Sequence, residues 1–413
     1  MILCKFAAEK FYKMPTIDSH TAAFIQEHRH DDIRTLALQA SKYHDVDINE
    51  ALVQIAGRQI AEKKIPSWAK EDQIQYPKHL SMEQCSSEVT ARYKASLVTG
   101  ESLTDLTAGF GVDFSFIARN FKRADYVERQ EALCEIARHN FNILGLNHVN
   151  VHCIDGIEYL KTMHPVDCLF LDPARRDANG GKTVAISECE PDVCSLESLL
   201  VEKGKKVLIK LSPMLDLHSA LNELKWVSEL HIVSVNNECK ELILILEKTG
   251  TDSQKATKEI TVSCEQVVNN FSSQHFTFTF SEEKSAPCPL AEKVEKYLYE
   301  PGASLLKAGP YRLLASRYGV QKLHLNSHLY TSEKLVDFPG RCFQVIGFTG
   351  FGKKELKAFL KDINKANLTV RNFPTTVADL RKKLKLKEGG DIYLFATTLA
   401  NGEKVLIKCI KCK

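Results

Sequence analysis

The chain has 413 residues, 44% of them hydrophobic and 26% charged, with a net charge of +3. That is the balance of an ordinary folded protein with room for two to four domains, which excludes fibrous and disordered classes. No apolar run reaches the ~20 residues of a membrane span, and residues 1–14 carry Lys5, Glu9, Lys10 and Lys13 without an apolar stretch of signal-peptide length, so a cytoplasmic protein that does not enter membranes is expected. The thirteen cysteines are odd in number and scattered, and Cys409-Ile-Lys-Cys412 has no second pair at zinc spacing. Reduced thiols and no bound metal are therefore expected.

Residues 15–70 place apolar side chains at helical spacing, most clearly in 33–42 and 48–63, and Ile65-Pro66-Ser67-Trp68 stops the second run. The pattern predicts a small helical bundle with Trp68 in its core. Within residues 80–97, Ser86 or Ser87 can cap a helix that runs to Leu97. Residues 103–113 read Leu-Thr-Asp-Leu-Thr-Ala-Gly-Phe-Gly-Val-Asp, a short buried strand, a glycine turn and a helix starting near Asp113. Gly109 and Gly111 carry no Cβ, so the backbone can approach a ligand. Their spacing matches neither the dinucleotide fingerprint nor a P-loop.

Three further strands follow, each with an acid at its end. Residues 124–127 lead to Glu128 and Arg129, 149–153 to Asp155-Gly156, and 166–171 to Asp172-Pro173-Ala174-Arg175-Arg176, with helices predicted at 131–144 and 157–163. Acids ending consecutive parallel strands face one crevice. Residues 206–211 form a continuous apolar strand, as burial on both faces requires, ending at Ser212-Pro213-Met214. Residues 229–235 and 242–247 form a hairpin turning at Asn236-Asn237, which completes a predicted seven-stranded α/β sheet. After a polar linker at 249–256, strands at 260–263 and 276–280, a helix at 304–318 and short strands at 323–325 and 329–330 predict a small α+β domain. Pro339-Gly340 opens a last region, read as strand 342–347, helix 354–364, strand 368–371, helix 376–384, and strands 391–397 and 404–409. From Pro339 to Lys413 there are sixteen Lys and Arg against six Asp and Glu, a balance of +10, which leaves the remainder of the chain at −7. A basic terminal region on an acidic body suits a polyanion such as nucleic acid. The expected domains are a helical region at 1–75, the α/β domain at 76–250, the α+β domain at 251–338 and the basic domain at 339–413.

In order, Asp105-x-x-x-Gly109-x-Gly111, Glu128, Asp155 and Asp172-Pro173 resemble the class I S-adenosylmethionine-dependent methyltransferases, over residues 80–250. The resemblance implies a Rossmann-like seven-stranded sheet and S-adenosylmethionine as cofactor. It puts Asp105, Thr107, Ala108, Gly109, Gly111 and Asp172 along the methionine end and its loop. Glu128, with Arg129, would take the ribose, and Asp155, with Gly156 and Ile154 or Ile157, the adenine. Gln84, Ser86, Thr90 and Tyr93 are candidates to cover the methionine end. Taken singly, each acid also reads as a helix N-cap.

Asp172, Pro173, Ala174 and Arg175 are the candidate catalytic residues. Amino-group methyltransferases often carry Asp/Asn-Pro-Pro-aromatic here, whereas this chain has Ala174 and Arg175 in the last two places; a guanidinium can stack on a base or grip a phosphate. Carbon-5 uridine chemistry needs a cysteine after the fifth strand, and Leu211-Ser212-Pro213-Met214 has none. The small α+β domain reads as ferredoxin-like, and the last domain resembles the THUMP-like domain that closes some bacterial methyltransferases. THUMP domains bind RNA, so the expected activity is methylation of a base nitrogen in tRNA or rRNA. The rivals are a methyltransferase for a protein or small molecule, and a non-catalytic RNA-binding protein with a relic cofactor fold.

Overall fold

The computed structural model describes residues 17–175, 185–248, 259–268 and 272–412. Residues 1–14, Arg176 and the linker expected at 249–256 lie outside them. Two compact units divide the chain, Met1–Trp226 with Leu244–Ser253, and Val227–Ile243 with Gln254–Lys413.

In the first unit, β1 (Gly100–Asp105), β2 (Phe121–Glu128), β3 (Val149–Cys153), β4 (Val166–Leu171) and β5 (Gly204–Leu211) form a parallel sheet. β1 lies between β4 and β2, so the chain direction of the crossovers reverses there, the switch point at whose carboxyl ends open α/β sheets hold their ligands in a crevice. Helices Glu131–Ile143, Gly156–Thr162 and Val193–Lys203 connect them. The N-terminal helices, led by the seventeen-residue Ile48–Lys64, bury Ile65, Trp68, Ile74 and Tyr76 against Phe110, Val112 and Phe116. Phe110 is the residue between the two loop glycines, and its ring meets Trp68 edge-on at 5.1 Å. Pro66–Ala69 forms a short helix of its own with Pro66 in its first turn, so the expected stop is a corner between two helices. Trp68 is 2% exposed and is a core residue.

With β6 (Val227–Val235), β7 (Glu238–Leu246), β8 (Thr261–Val268) and β9 (Ser272–Thr279), the large sheet has nine strands rather than seven, in the order β9-β8-β6-β7-β5-β4-β1-β2-β3. Asn236 and Asn237 both adopt the left-handed conformation between β6 and β7, the backbone that a two-residue hairpin needs. The two extra strands are those assigned by alternation to the small α+β domain. Alternation identifies a strand but not its sheet. β8 pairs in parallel with β6 from Thr261↔Glu229 to Val267↔Val235 and returns as a hairpin to β9.

The second unit also holds β10 (Tyr297–Pro301), β11 (Gln321–Lys322), β12 (Tyr330–Ser332), β13 (Gly340–Thr349), β14 (Asn367–Val370), β15 (Ile392–Thr398) and β16 (Lys404–Lys411). They form one sheet, ordered β11-β12-β10-β13-β16-β15-β14. The helix expected over 304–318 is two helices, Ala303–Ala308 and Tyr311–Tyr318, because Gly309 at φ +81° ends the first and Pro310 cannot continue it. The short strands expected at 323–325 and 329–330 lie at Gln321–Lys322 and Tyr330–Ser332 instead. Glu300, 1% exposed, is the ionic centre of this sheet. Its carboxylate accepts from Arg371 at 2.9 and 3.1 Å and from Arg341 Nε at 2.8 Å.

Candidate active site

β1 delivers Asp105 to its carboxyl end in the middle of the sheet, buried to 1% exposure, where Oδ1 accepts from the Thr107 N–H at 3.0 Å. Burial, then the neighbouring Asp113, Asp172 and Glu128, hold the Asp105 pKa well above the ordinary carboxylate range. The glycine turn follows. Gly109 has φ +55° and a Cβ there would meet nothing closer than Thr107 O at 3.9 Å, so its open side faces space. Gly111 serves differently: at φ +83° its missing Cβ leaves room for Phe141 Cζ at 2.9 Å and Tyr126 at 3.3 Å. It is thus a packing glycine at the N-terminus of helix Val112–Ile117. Thr107, Ala108 and Gly109 are half-buried along the crevice, and the buried Tyr126 hydroxyl donates to Gly109 O from below.

Glu128 ends β2 with both carboxylate oxygens engaged, Oε2 accepting from Gly109 N at 3.0 Å and Oε1 from Gln130 N at 2.8 Å. It latches the glycine turn, and any ligand hydroxyl would share its oxygens. Arg129 is exposed and pairs with Glu190 at 3.3 Å. Asp155 caps helix Gly156–Thr162, its Oδ1 accepting from Ile157 N at 2.9 Å and Glu158 N at 3.3 Å. A Cβ on Gly156 would fall 2.1 Å from Leu106 O, so that glycine lets the helix start against the end of β1. Ile154 is exposed and Ile157 partly so.

Asp172 follows β4. Its N–H donates to Thr107 Oγ1 at 2.6 Å, and its carboxylate accepts from Lys210 Nζ at 2.5 Å. Pro173 is buried and Ala174 exposed, and the backbone of Ala174 and Arg175 pairs with Glu190 and Cys189 in a two-residue ribbon. The Arg175 side chain lies outside the described residues.

Lys210 belongs to a polar cluster that extends the expected site. Its Nζ is also 3.9 Å from Asp113 Oδ2. Asp113 accepts from Ser86 Oγ at 2.6 Å and lies 3.1 Å from the fully buried Lys94, whose Nζ reaches Ser86 Oγ at 3.3 Å. Ser86 is therefore brought to the site. Gln84 is exposed, and Thr90 is spent on the cap of helix Glu88–Ser96, where its N–H and hydroxyl bond to Ser87. Tyr93 is half-buried on the same helix. Lys94, Asp113 and Lys210 escaped the sequence reading. A lysine inside Val-Leu-Ile-Lys-Leu was the signal, since a charge in a doubly covered strand needs a buried partner.

Asp113, Glu128 and Asp172 neighbour Asp105, and the two ammonium groups, Lys94 and Lys210, pair with Asp113 and Asp172, so a ligand that carries positive charge suits this carboxyl-rich crevice. A sulfonium ligand supplies that charge, and the open side of Gly109 gives it room, so the residues fit S-adenosylmethionine. When bound, that cofactor supplies an electrophilic methyl group. Among the described residues no group of His, Cys, Asp and Glu is arranged to hold a metal ion, and no helix is long and apolar enough to cross a membrane.

Comparison with known proteins agrees with this reading. A family model for a ferredoxin-like domain matches residues 297–339, and one for a THUMP-like domain matches 340–411, so the two domains share the sheet at β10 and β13. Uncharacterised S-adenosylmethionine-dependent methyltransferases from two strains of Mycobacterium tuberculosis are 21% identical over 81% of this chain and 87% of theirs. A crystal structure from Porphyromonas gingivalis W83, provisionally titled a methyltransferase, is 33% identical over 95% of this chain and 98% of that one, with a TM-score of 0.83. The chain belongs to that protein's family, and it is an S-adenosylmethionine-dependent methyltransferase with ferredoxin-like and THUMP-like domains.

Proposed function

We propose that the chain methylates RNA, with the cofactor held by the Asp105–Gly109 turn, Glu128 and Asp155 and the acceptor presented at Asp172. The carrying observation is the distribution of charge in the last domain. Arg341 and Arg371 are consumed by Glu300, whereas Lys353, Lys354, Lys357, Lys382, Lys383 and Lys385 are exposed on or beside two helices, Lys353–Phe359 and Val377–Leu384. Lysines held on a surface without internal use suit a phosphate backbone. The resemblance of 340–411 to RNA-binding THUMP domains supports the same partner, tRNA or rRNA. By resemblance the Asp172-Pro173 pair suits a base nitrogen as acceptor.

The test is RNA binding as a function of salt. Lys353, Lys354 and Lys357 changed together to Glu should weaken binding and reduce the log–log salt slope by roughly two to three, with cofactor affinity unchanged. An unaltered slope would remove this surface from RNA recognition.

A further inference from the structure

We infer that the acceptor atom is a hydroxyl oxygen, the ribose 2′-hydroxyl of RNA, and not a base nitrogen, with Lys210 as the group that takes its proton. This rests on the RNA reading above and departs from it only in the acceptor atom, which the Asp172-Pro173 resemblance alone would make a base nitrogen. The observation is the chain Lys94–Asp113–Lys210–Asp172, with Lys94 fully buried and the Lys210 side chain 14% exposed, while Asp172, at 38%, is the member most open to the crevice.

The two kinds of acceptor ask for opposite surroundings. A neutral exocyclic amine gains positive charge as it attacks a methyl group. Its site needs hydrogen-bond acceptors, no adjacent cation, and a flat side chain to hold the base. Here one oxygen of the Asp172 carboxylate is already taken by an ammonium at 2.5 Å, and Pro173 and Ala174, which follow it, offer no aromatic ring, with Arg175 standing where that ring would be. A hydroxyl is a poor nucleophile until its proton leaves, and the oxygen then carries negative charge. That calls for a basic nitrogen held in place and for nearby positive charge. Lys210 meets both needs. Asp172 and Asp113 fix its Nζ at the end of β5, and Lys94 balances Asp113 from behind, so that one proton can be given up by the cluster without leaving a bare buried charge. Along an RNA chain the hydroxyl carried by every internal nucleotide is the ribose 2′-OH.

The step balances as follows. The Lys210 ammonium first releases one proton to solvent past Asp172, the member most open to the crevice, and meets the acceptor as the neutral amine. The O–H bond breaks and its proton goes to Nζ. The oxygen lone pair forms the bond to the methyl carbon, and the carbon–sulfur bond breaks with its electron pair retained on sulfur. The positive charge thus passes from sulfonium to lysine.

The experiment gives the full-length chain tritium-labelled S-adenosylmethionine and total RNA from a strain deleted for its gene. The RNA is then hydrolysed in alkali. A 2′-O-methyl group blocks cleavage at its own phosphodiester, so the label should appear in alkali-resistant dinucleotides. Lys210→Arg, which keeps the charge but cannot accept the proton, should lose a hundredfold or more of transfer while retaining calorimetric affinity for S-adenosylhomocysteine, which shows it is folded. Lys210→Met should behave likewise. Label confined to a base in mononucleotides overturns the oxygen assignment and leaves the RNA reading standing. Normal transfer by Lys210→Arg overturns the role of the lysine. An RNA fraction without label overturns both readings.

Discussion

Asp105 carries the sharpest conflict in the molecule. Its carboxyl is buried, it faces three other acids, and its pKa is held well above the ordinary range. The folded chain therefore keeps this proton to higher pH than the unfolded chain, which releases it near pH 3.9. Stability is then lost as pH rises from about 4 through the folded value. Asp105→Asn keeps the acceptor for the Thr107 N–H and removes the charge. We expect the cofactor-free variant to melt a few degrees higher at pH 7 with a flatter pH dependence, and to bind S-adenosylhomocysteine at least tenfold more weakly, as a site that spends stability on function should. Parallel melting curves and calorimetry check it; an unchanged affinity would move the cofactor away from Asp105. Residues of this kind were legible in part. The acids stood out because each ends a strand, and their order gave the crevice. Lys94 and Lys210 did not, because a single charge within an apolar run is absorbed into the run, and its partner Asp113 lies in a different element. Gly111 was read as a ligand glycine like Gly109, since sequence does not reveal which neighbour fills the missing Cβ.

At the scale of elements, local signals held at the Asn236-Asn237 turn and at the cap of helix Val377–Leu384, while the Gly309-Pro310 break inside the helix expected over 304–318 was passed over. Asn236-Asn237 marks its hairpin by itself, and Thr376 caps helix Val377–Leu384 through the Asp379 N–H. They failed where pairing is non-local: β8 and β9 alternate like any half-buried strands, and β6, the strand that ties β8 to the large sheet, is some thirty residues away in register. The helices before β1 bear on the site through Phe110. Trp68→Ala would open a cavity beneath the glycine turn, which should cost about 3–5 kcal/mol and weaken cofactor binding, although Trp68 lies outside the crevice. Urea unfolding and calorimetry on the same sample check both; a loss of stability with full affinity would make the helices a scaffold alone. In the second sheet, Glu300→Gln would leave Arg341 and Arg371 without their shared carboxylate. Breaking a buried pair on one side costs about 3–5 kcal/mol, so an early unfolding transition is expected in denaturant, with cofactor affinity intact. A single unshifted transition would show that the two arginines find water or other partners. Glu300 also bears on truncation. Removing Pro339 to Lys413 would strip β13 from β10 and orphan Glu300, so surface charge reversal is the cleaner test of the basic domain.

For the whole molecule, the charge split visible in the sequence, +10 in the last 75 residues against −7 elsewhere, carries over into structure as exposed lysines on one small domain. The domain types were legible because their element order is distinctive, while their joining into one sheet was not, because it depends on β10 meeting β13. The central claim is that this methyltransferase acts on RNA. Its most direct test adds the purified chain and tritium-labelled S-adenosylmethionine to an extract of cells deleted for its gene, then divides the product between ribonuclease and protease. Label released by ribonuclease and untouched by protease, and absent when Asp172→Ala replaces the native chain, is the result expected. Label that survives ribonuclease and is released by protease, or that is found in small molecules, would contradict the account.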